Sequence, residues 1–356
     1  MSEDSLSAIF AGATTNTDNV LSSGGITITS SSSRGTGVYF EYVVIVIGIA
    51  GTAANALILY AMIASKVHKK QLLIFNQNVF DLCSSLLLII LYTVKVYNFY
   101  LAGTLGHWLC ILVFSNRFLW VSINGSVINL LSITIERYIM VVYPSWSKKL
   151  LRRWVKRSAA AFAWIAGFVY NMALVFLTSA VIDGQCYEYS AWKSRTAALG
   201  HGIWNFTSFY AIVVFIFVFC YGKILVVIRR QARVMASHGG PGSSTCQPTQ
   251  SNQIQSSVIK TMILVSAFYV ILWTPNYLLY LFSHIKLDLA TRHIEIHSSL
   301  FLSFLYISAN PFIYAIKFKP VRRILVGLIP CKKSAQTGNS IELQIQIGLP
   351  GSAAVA

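Results

Sequence analysis

Residues 126–146 read SVINLLSITIERYIMVVYPSW, an apolar run that ends on an adjacent acid and base, Glu136 and Arg137, followed by Tyr138 and then Pro144. Upstream, the apolar character continues back to Trp108, broken by a single charge at Arg117. About 20 such residues cross the hydrocarbon core of a bilayer, so the stretch reads as a membrane span and the charged pair as its boundary. Working outward from it, further stretches of this kind lie near 38–64, 72–97, 158–181, 201–228, 258–284 and 296–316. The fold expected is an all-α membrane protein, a bundle of seven transmembrane helices.

Composition agrees. Charged residues make up 11% of the 356 and the apolar set 55%, with a mean hydropathy of +0.62, whereas soluble proteins carry roughly 25% charge. A soluble enzyme is excluded on these grounds, and the 21 Phe, 18 Tyr and 8 Trp exclude disorder of the whole chain. The net charge of +17 suggests a nucleic-acid binder until its placement is read. Basic residues gather after the first span (Lys66, Lys69, Lys70), between the third and fourth (Lys148 to Arg157), after the fifth (Arg229, Arg230, Arg233) and after the seventh. Of the 28 basic residues, 21 fall on this one side, which the positive-inside bias places in the cytosol, with the N-terminus outside. The excess charge therefore faces anionic lipid, where each Lys or Arg contributes about 1 kcal/mol. The expected location is the plasma membrane, multi-pass, with the bilayer rather than nucleic acid as partner.

The chain divides into a Ser/Thr/Gly-rich flexible extracellular tail (1–37), the bundle (38–318), an amphipathic juxtamembrane helix (319–331) and a cytoplasmic tail (332–356). Residues 1–37 lack the basic start and apolar run of a cleavable signal peptide, and 236–257 read as a short polar cytoplasmic loop. Topology also sorts the cysteines. Cys83 and Cys220 lie within spans, Cys246 and Cys331 face the reducing cytosol, and Cys110 and Cys186 share the oxidising side, which makes them the candidate disulfide. At the juxtamembrane helix Lys317, Lys319, Arg322 and Arg323 combine with Ile324, Leu325, Leu328 and Ile329 into an amphipathic pattern, and Cys331 follows as a candidate for S-palmitoylation.

Polar groups inside a span are costly and face the bundle interior. Asp81 is the one acid deep within a span. It reads either as a packing carboxylate bonded to Asn55, Ser126 and Asn310, or as a cation site, for sodium, built from the same four residues; no other cofactor is expected. Glu136 and Arg137 read either as an interfacial anchor or as a two-state element, the carboxylate holding the guanidinium until it is released. Trp273 and Pro275 in the sixth span and Asn310, Pro311 and Tyr314 in the seventh place prolines where each removes a backbone hydrogen bond and kinks the helix.

In order, these features resemble the rhodopsin-like (class A) G-protein-coupled receptors over about residues 38–331. The pattern comprises Asn55, Asp81, Cys110, Glu136-Arg137-Tyr138, Trp164, Cys186, Tyr221, Trp273, Pro275, Asn310, Pro311 and Tyr314. The resemblance implies agonist capture at the outer ends of the helices, outward swing of span six and exposure of Arg137 to a heterotrimeric G protein, with arrestin and a receptor kinase as further partners. It also brings departures. Val213 stands where span five usually has proline, Tyr269 replaces a phenylalanine before Trp273, Gln255 replaces an acid that clasps the arginine, and Cys110 lies two residues further from Arg137 than is usual.

The resemblance further implies a ligand class. Leu119 stands where amine receptors carry an aspartate, and Phe304 where opsins attach retinal. Trp120, Trp204, Asn276, Tyr277 and Tyr280 are candidates for an amphipathic cavity, and Lys95, Arg117 and Lys286, at the outer ends, for an acidic group or a peptide C-terminus, or else as snorkelling anchors. A peptide ligand, as in invertebrate-type neuropeptide receptors, is expected; a receptor for a small non-amine molecule and a transporter are the alternatives. No enzymatic activity is expected, since no zinc-ligand spacing or nucleotide-binding loop occurs in the sequence.

Overall fold

The computed structural model describes residues 31–97, 100–182, 184–187, 194–238, 250–285, 293–317 and 319–327. Its long helices are α1 (Ser31–Ala64), α2 (Leu72–Tyr97), α4 (Arg117–Val142), α6 (Arg153–Thr178), α8 (Ile212–His238), α9 (Gln250–Ile285) and α10 (His293–Lys317). Short helices α3 (Gly103–Leu109) and α7 (Arg195–Phe206) extend the third and fifth spans outward. α5 (Pro144–Leu150) follows the Glu-Arg pair, and α11 (Lys319–Gly327) closes the described chain. Among the described residues six spans are long and apolar enough to cross a membrane: Val38–Ala64, Leu72–Tyr97, Gly103–Val142, Thr196–Gln231, Val258–Phe282 and Ile294–Ile316. α6 matches α2 and α4 at 26 residues, about 39 Å at 1.5 Å per residue, long enough to cross as well, and the side chains of 174–178 in its last turns lie outside the described residues.

Two expectations are corrected at the helix ends. The first helix begins at Ser31, so residues 31–37 of the predicted tail are helical, and α8 and α9 run on to His238 and from Gln250 into the predicted 236–257 loop. Bilayer thickness limits the apolar stretch, not the helix, which continues wherever backbone bonds and propensity allow. Residues 1–30, Cys246, Lys286, Cys331 and the tail from 332 lie outside the described residues, as does the side chain of Gln255.

Apolar side chains such as Val46, Ile90, Phe215, Ile271 and Ile316 stand outward, as contact with lipid requires, while Asn55, Gln77, Asp81, Asn129 and Asn310 are buried. This inverts the pattern of a soluble protein. α4 is central, packing against α2, α6 and α8, and α10 returns to α1 to close the ring. Glycines set its closest approach: a Cβ on Gly167 would come within 2.7 Å of the Val121 carbonyl, and one on Gly125 within 2.5 Å of the Phe80 ring. Small residues at such crossings let helix backbones pack without the help of water exclusion.

The extra length between Cys110 and Arg137 has a visible outlet. Cys110–Phe114 forms a π-turn, and Asn116 takes a left-handed φ of 52° before α4 begins at Arg117. A π-turn accommodates one residue more than an α-turn, and asparagine is enriched in the left-handed region. Together they take up the additional residues and leave the inner register of α4 intact. Outside the bundle, β1 (Ala180–Ile182) and β2 (Gln185–Tyr187) form a two-stranded antiparallel hairpin that the span pattern did not foretell.

Candidate functional site

At the cytoplasmic end, Arg137 and Glu136 sit in the last turns of α4 and are 2% and 5% exposed, so Arg137 is not an interfacial anchor. Arg137 Nη2 lies 3.2 Å from Glu136 Oε2 and also donates to Oε1 of Gln71, the residue immediately before α2. The second carboxylate oxygen, Glu136 Oε1, lies 2.5 Å from Lys156 Nζ on α6. The arginine is thus held from α2 and through Glu136 from α6. Glu136 was legible in sequence; Gln71 and Lys156 were not, since a lone amide and a cytoplasmic lysine carry no signal until the helices are placed. Tyr138 packs its ring against Tyr143 and Phe219.

One turn above, Tyr221 OH is 3.0 Å from Thr134 Oγ1 and accepts from Ser266 Oγ at 3.2 Å, tying α8 to α4 and α9. Tyr314 and Trp273 are each 1% exposed. Pro275 and Pro311 lie inside α9 and α10 as expected.

The two departures in spans five and six form one feature. Thr207–Ala211 is a π-turn, and Tyr269 OH donates to the Phe209 carbonyl within it. Tyr210 OH lies 2.5 Å from Thr274 Oγ1. A proline at Val213 would loosen the helix by removing a donor; here the backbone bulges instead, and the Tyr269 hydroxyl, absent from a phenylalanine, satisfies a carbonyl the bulge exposes.

Asp81 is 1% exposed. Its Oδ2 accepts from Asn310 Nδ2 at 3.0 Å and its Oδ1 from Ser126 Oγ at 3.5 Å. Asn55 does not join them. Its Nδ2 donates to the Gly51 carbonyl at 2.9 Å and the Ile307 carbonyl at 3.5 Å, so its membership of the expected site is corrected. In its stead the Nε2 of Gln77, one turn before Asp81, donates to Ser126 Oγ. The residues turned toward the carboxylate are therefore hydrogen-bond donors, which do not fit a bound sodium ion.

The outer half is aromatic. Trp120 meets Trp273 edge-on at 6.3 Å, Trp273 meets Tyr277 at 5.7 Å, and Tyr277 meets Tyr210 at 5.3 Å. Above them His201 bridges three spans, its Nε2 at 3.2 Å from Tyr170 OH and its Nδ1 at 3.0 Å from Tyr280 OH. Leu119 is 1% exposed, an apolar wall, and Asn276 is half-buried. Trp204 is corrected: it is 60% exposed and shares the outward face of α7 with Ile203, so it faces lipid. Lys95 lies over the Tyr92 ring at 5.0 Å. Arg117 is fully buried and engaged within the protein, which excludes the snorkelling role. Cys110 and Cys186 form a disulfide with Cα atoms 5.3 Å apart, joining the outer π-turn to β2.

Comparison with known proteins completes the picture. Residues 54–314 match the profile described as 7 transmembrane receptor (rhodopsin family). The chain is 26% identical over 295 residues to galanin receptor type 2 of Rattus norvegicus, covering 78% of this chain and 73% of that protein. It is 24% identical over 226 residues to lysophosphatidic acid receptor 1-A of Xenopus laevis, covering 62% and 57%, and 22% identical over 230 residues to adenosine receptor A2a of Canis lupus familiaris, covering 60% and 54%.

Proposed function

Because the chain belongs to the rhodopsin family of seven-transmembrane receptors, a family of receptors rather than enzymes, we propose that the ligand driving its G-protein signalling is an extracellular peptide. The observation that carries this reading is the extent of similarity: the galanin receptor matches over 78% of the chain, the lysophosphatidic acid and adenosine receptors over 62% and 60%. The outer half of the bundle supports it by what it withholds. Leu119 offers an amine no counter-ion, and Phe304, 1% exposed, offers retinal no lysine. Trp120, Tyr277, Tyr280 and His201 present rings with polar rims, suited to peptide side chains and backbone alike. A ligand activates only by binding the active arrangement more tightly than the resting one, and the ring contact between Trp120 and Trp273 would link a ligand held at the outer end to span six.

A small non-amine molecule is the second reading, favoured by the Trp273 indole N–H, which is buried with no hydrogen-bond partner among the described residues and would welcome an acceptor. Cells expressing the chain with a promiscuous G-protein reporter, challenged in parallel with peptide, lysophospholipid, nucleoside and amine libraries, separate the two. A saturable response confined to peptides is expected; one confined to lipids or nucleosides overturns the peptide reading.

On the cytoplasmic face the basic residues around Arg137 serve the G protein, and arrestin and a receptor kinase share that surface. α11 supports a lipid anchor beside it. Val321 is 1% exposed, Ile324 and Leu325 are half-buried, and Arg322 and Arg323 point outward, which is the face pattern of an interfacial helix. Cys331 would then be palmitoylated at the membrane surface. Metabolic labelling with a palmitate analogue should tag the wild type, and the tag should disappear in Cys331→Ser; a label of equal strength in that variant assigns the anchor elsewhere.

A further inference from the structure

Six buried or half-buried side chains on three spans form a continuous hydrogen-bond chain whose donors all point one way. Trp164 Nε1 on α6 donates to Asn76 Oδ1 at 3.1 Å, and Asn76 Nδ2 donates to Asn129 Oδ1 at 3.0 Å. Asn129 Nδ2 donates to Gln77 Oε1 at 2.8 Å, its other proton going to the Leu73 carbonyl at 3.0 Å. Gln77 Nε2 donates to Ser126 Oγ, and Ser126 Oγ donates to Asp81 Oδ1 at 3.5 Å. From the opposite side Asn310 Nδ2 on α10 closes on Asp81 Oδ2. Gln77, Asn129 and Asn310 are fully buried. The groups that act on Asp81 are the Asn310, Ser126 and Gln77 side chains, none of them basic.

The direction of the chain matters chemically. A serine hydroxyl has one proton and two lone pairs. Here the proton is spent on Asp81 and a lone pair on the Gln77 amide. A hard cation requires oxygen lone pairs turned toward it, and Gln77 turns N–H instead. Its amide places positive partial charge in the space an ion would take, so amide and ion compete for one location. Hydrogen bonds in series also polarise one another, so Asp81 receives the summed dipole of a chain that begins at Trp164 on another span.

We propose that this donor chain, delivered through Gln77, stands where a sodium ion would bind, balancing Asp81 without an ion and making the resting receptor indifferent to sodium. Gln77 is then a specificity-determining residue: its side chain decides whether the interior carboxylate takes an ion or an amide.

The test needs no ligand. Full-length receptor in lipid nanodiscs is heated with sodium chloride exchanged for choline chloride at constant ionic strength, and the unfolding midpoint is recorded. Wild type and Asp81→Asn should each show the same midpoint in both salts. Gln77→Leu, which removes the amide, and Gln77→Asn, which withdraws it by one methylene, should each gain a saturable rise of about 3 °C in sodium. Two results overturn the proposal: a sodium-specific rise in the wild type that Asp81→Asn abolishes, or folded Gln77 variants that stay indifferent to sodium. Should neither Gln77 variant fold, the wild type and Asp81→Asn decide it alone. Basal nucleotide exchange in the same two salts gives an independent reading, with sodium expected to lower it in the Gln77 variants and not in the wild type.

Discussion

Arg137→Ala is expected to lose G-protein nucleotide exchange, basal and stimulated, by on the order of 100-fold or more while the receptor still reaches the surface. Hydrogen bonds to charged groups are worth about 1.5–3 kcal/mol each, and tenfold costs about 1.4 kcal/mol, so two lost contacts to the transducer account for that factor. Arg137→Lys keeps the charge yet should fail almost as badly, because an ammonium cannot reproduce the planar donor fork. The resting geometry adds a second arm. Glu136 holds Arg137 at 3.2 Å and is itself held by Lys156 at 2.5 Å, with Gln71 as the other partner of the guanidinium. Glu136→Gln and Gln71→Ala each release one restraint on Arg137, and Lys156→Met unties Glu136 from α6, so all three should raise basal exchange. Exchange measured on membranes at matched surface expression decides among these, and normal exchange with Arg137→Ala would falsify the coupling role.

Opening the Cys110–Cys186 bridge is the second large effect. The bond closes a loop of sequence separation 76, for which chain entropy gives about 4.5 kcal/mol at most. At roughly 2–4 °C per kcal/mol the unfolding midpoint should fall by about 10 °C. Cys110→Ser, Cys186→Ser and the double variant should fall alike, since either change alone removes the whole cross-link. Losing it also frees the β1–β2 hairpin from the outer π-turn, so ligand-stimulated exchange should fall further than Arg137-dependent basal exchange. Alkylation of surface-expressed protein before and after reduction should find both thiols only after reduction; free thiols at both positions beforehand would contradict the pairing.

The resemblance placed the two departures in spans five and six separately, as a missing proline at Val213 and a tyrosine at Tyr269. Their connection needed coordinates, because it runs through the carbonyl of Phe209 in a π-turn, and local sequence does not announce a π-turn. The extra residues before Arg137 are a similar case: their number was countable, but their absorption at Cys110–Phe114 and Asn116 was not. Among the cavity candidates, Trp120 and Tyr277 converge on Trp273, whereas Trp204 turns to lipid. An aromatic near the outer end of a span is equally at home in either place, since its ring tolerates lipid and its polar edge tolerates water.

What the sequence by itself determined is the number and sidedness of the spans, the cysteine pair, and the presence of Glu136, Arg137 and Asp81 at costly positions. These follow from properties that accumulate along the chain: transfer of side chains into hydrocarbon, the placement of Lys and Arg, and the redox side of each loop. Tertiary structure alone decided which neighbours hold the charges. Gln71, Lys156, Gln77 and Asn129 are ordinary residues in sequence, and each acquires its partner from the rotation and register of one helix against another. A rotation of a few tens of degrees would turn Gln77 away from Ser126 and Asn55 toward it, and hydropathy would register almost no change. Hydrogen bonds are short and directional, so they depend on a packing geometry that no count along the chain contains.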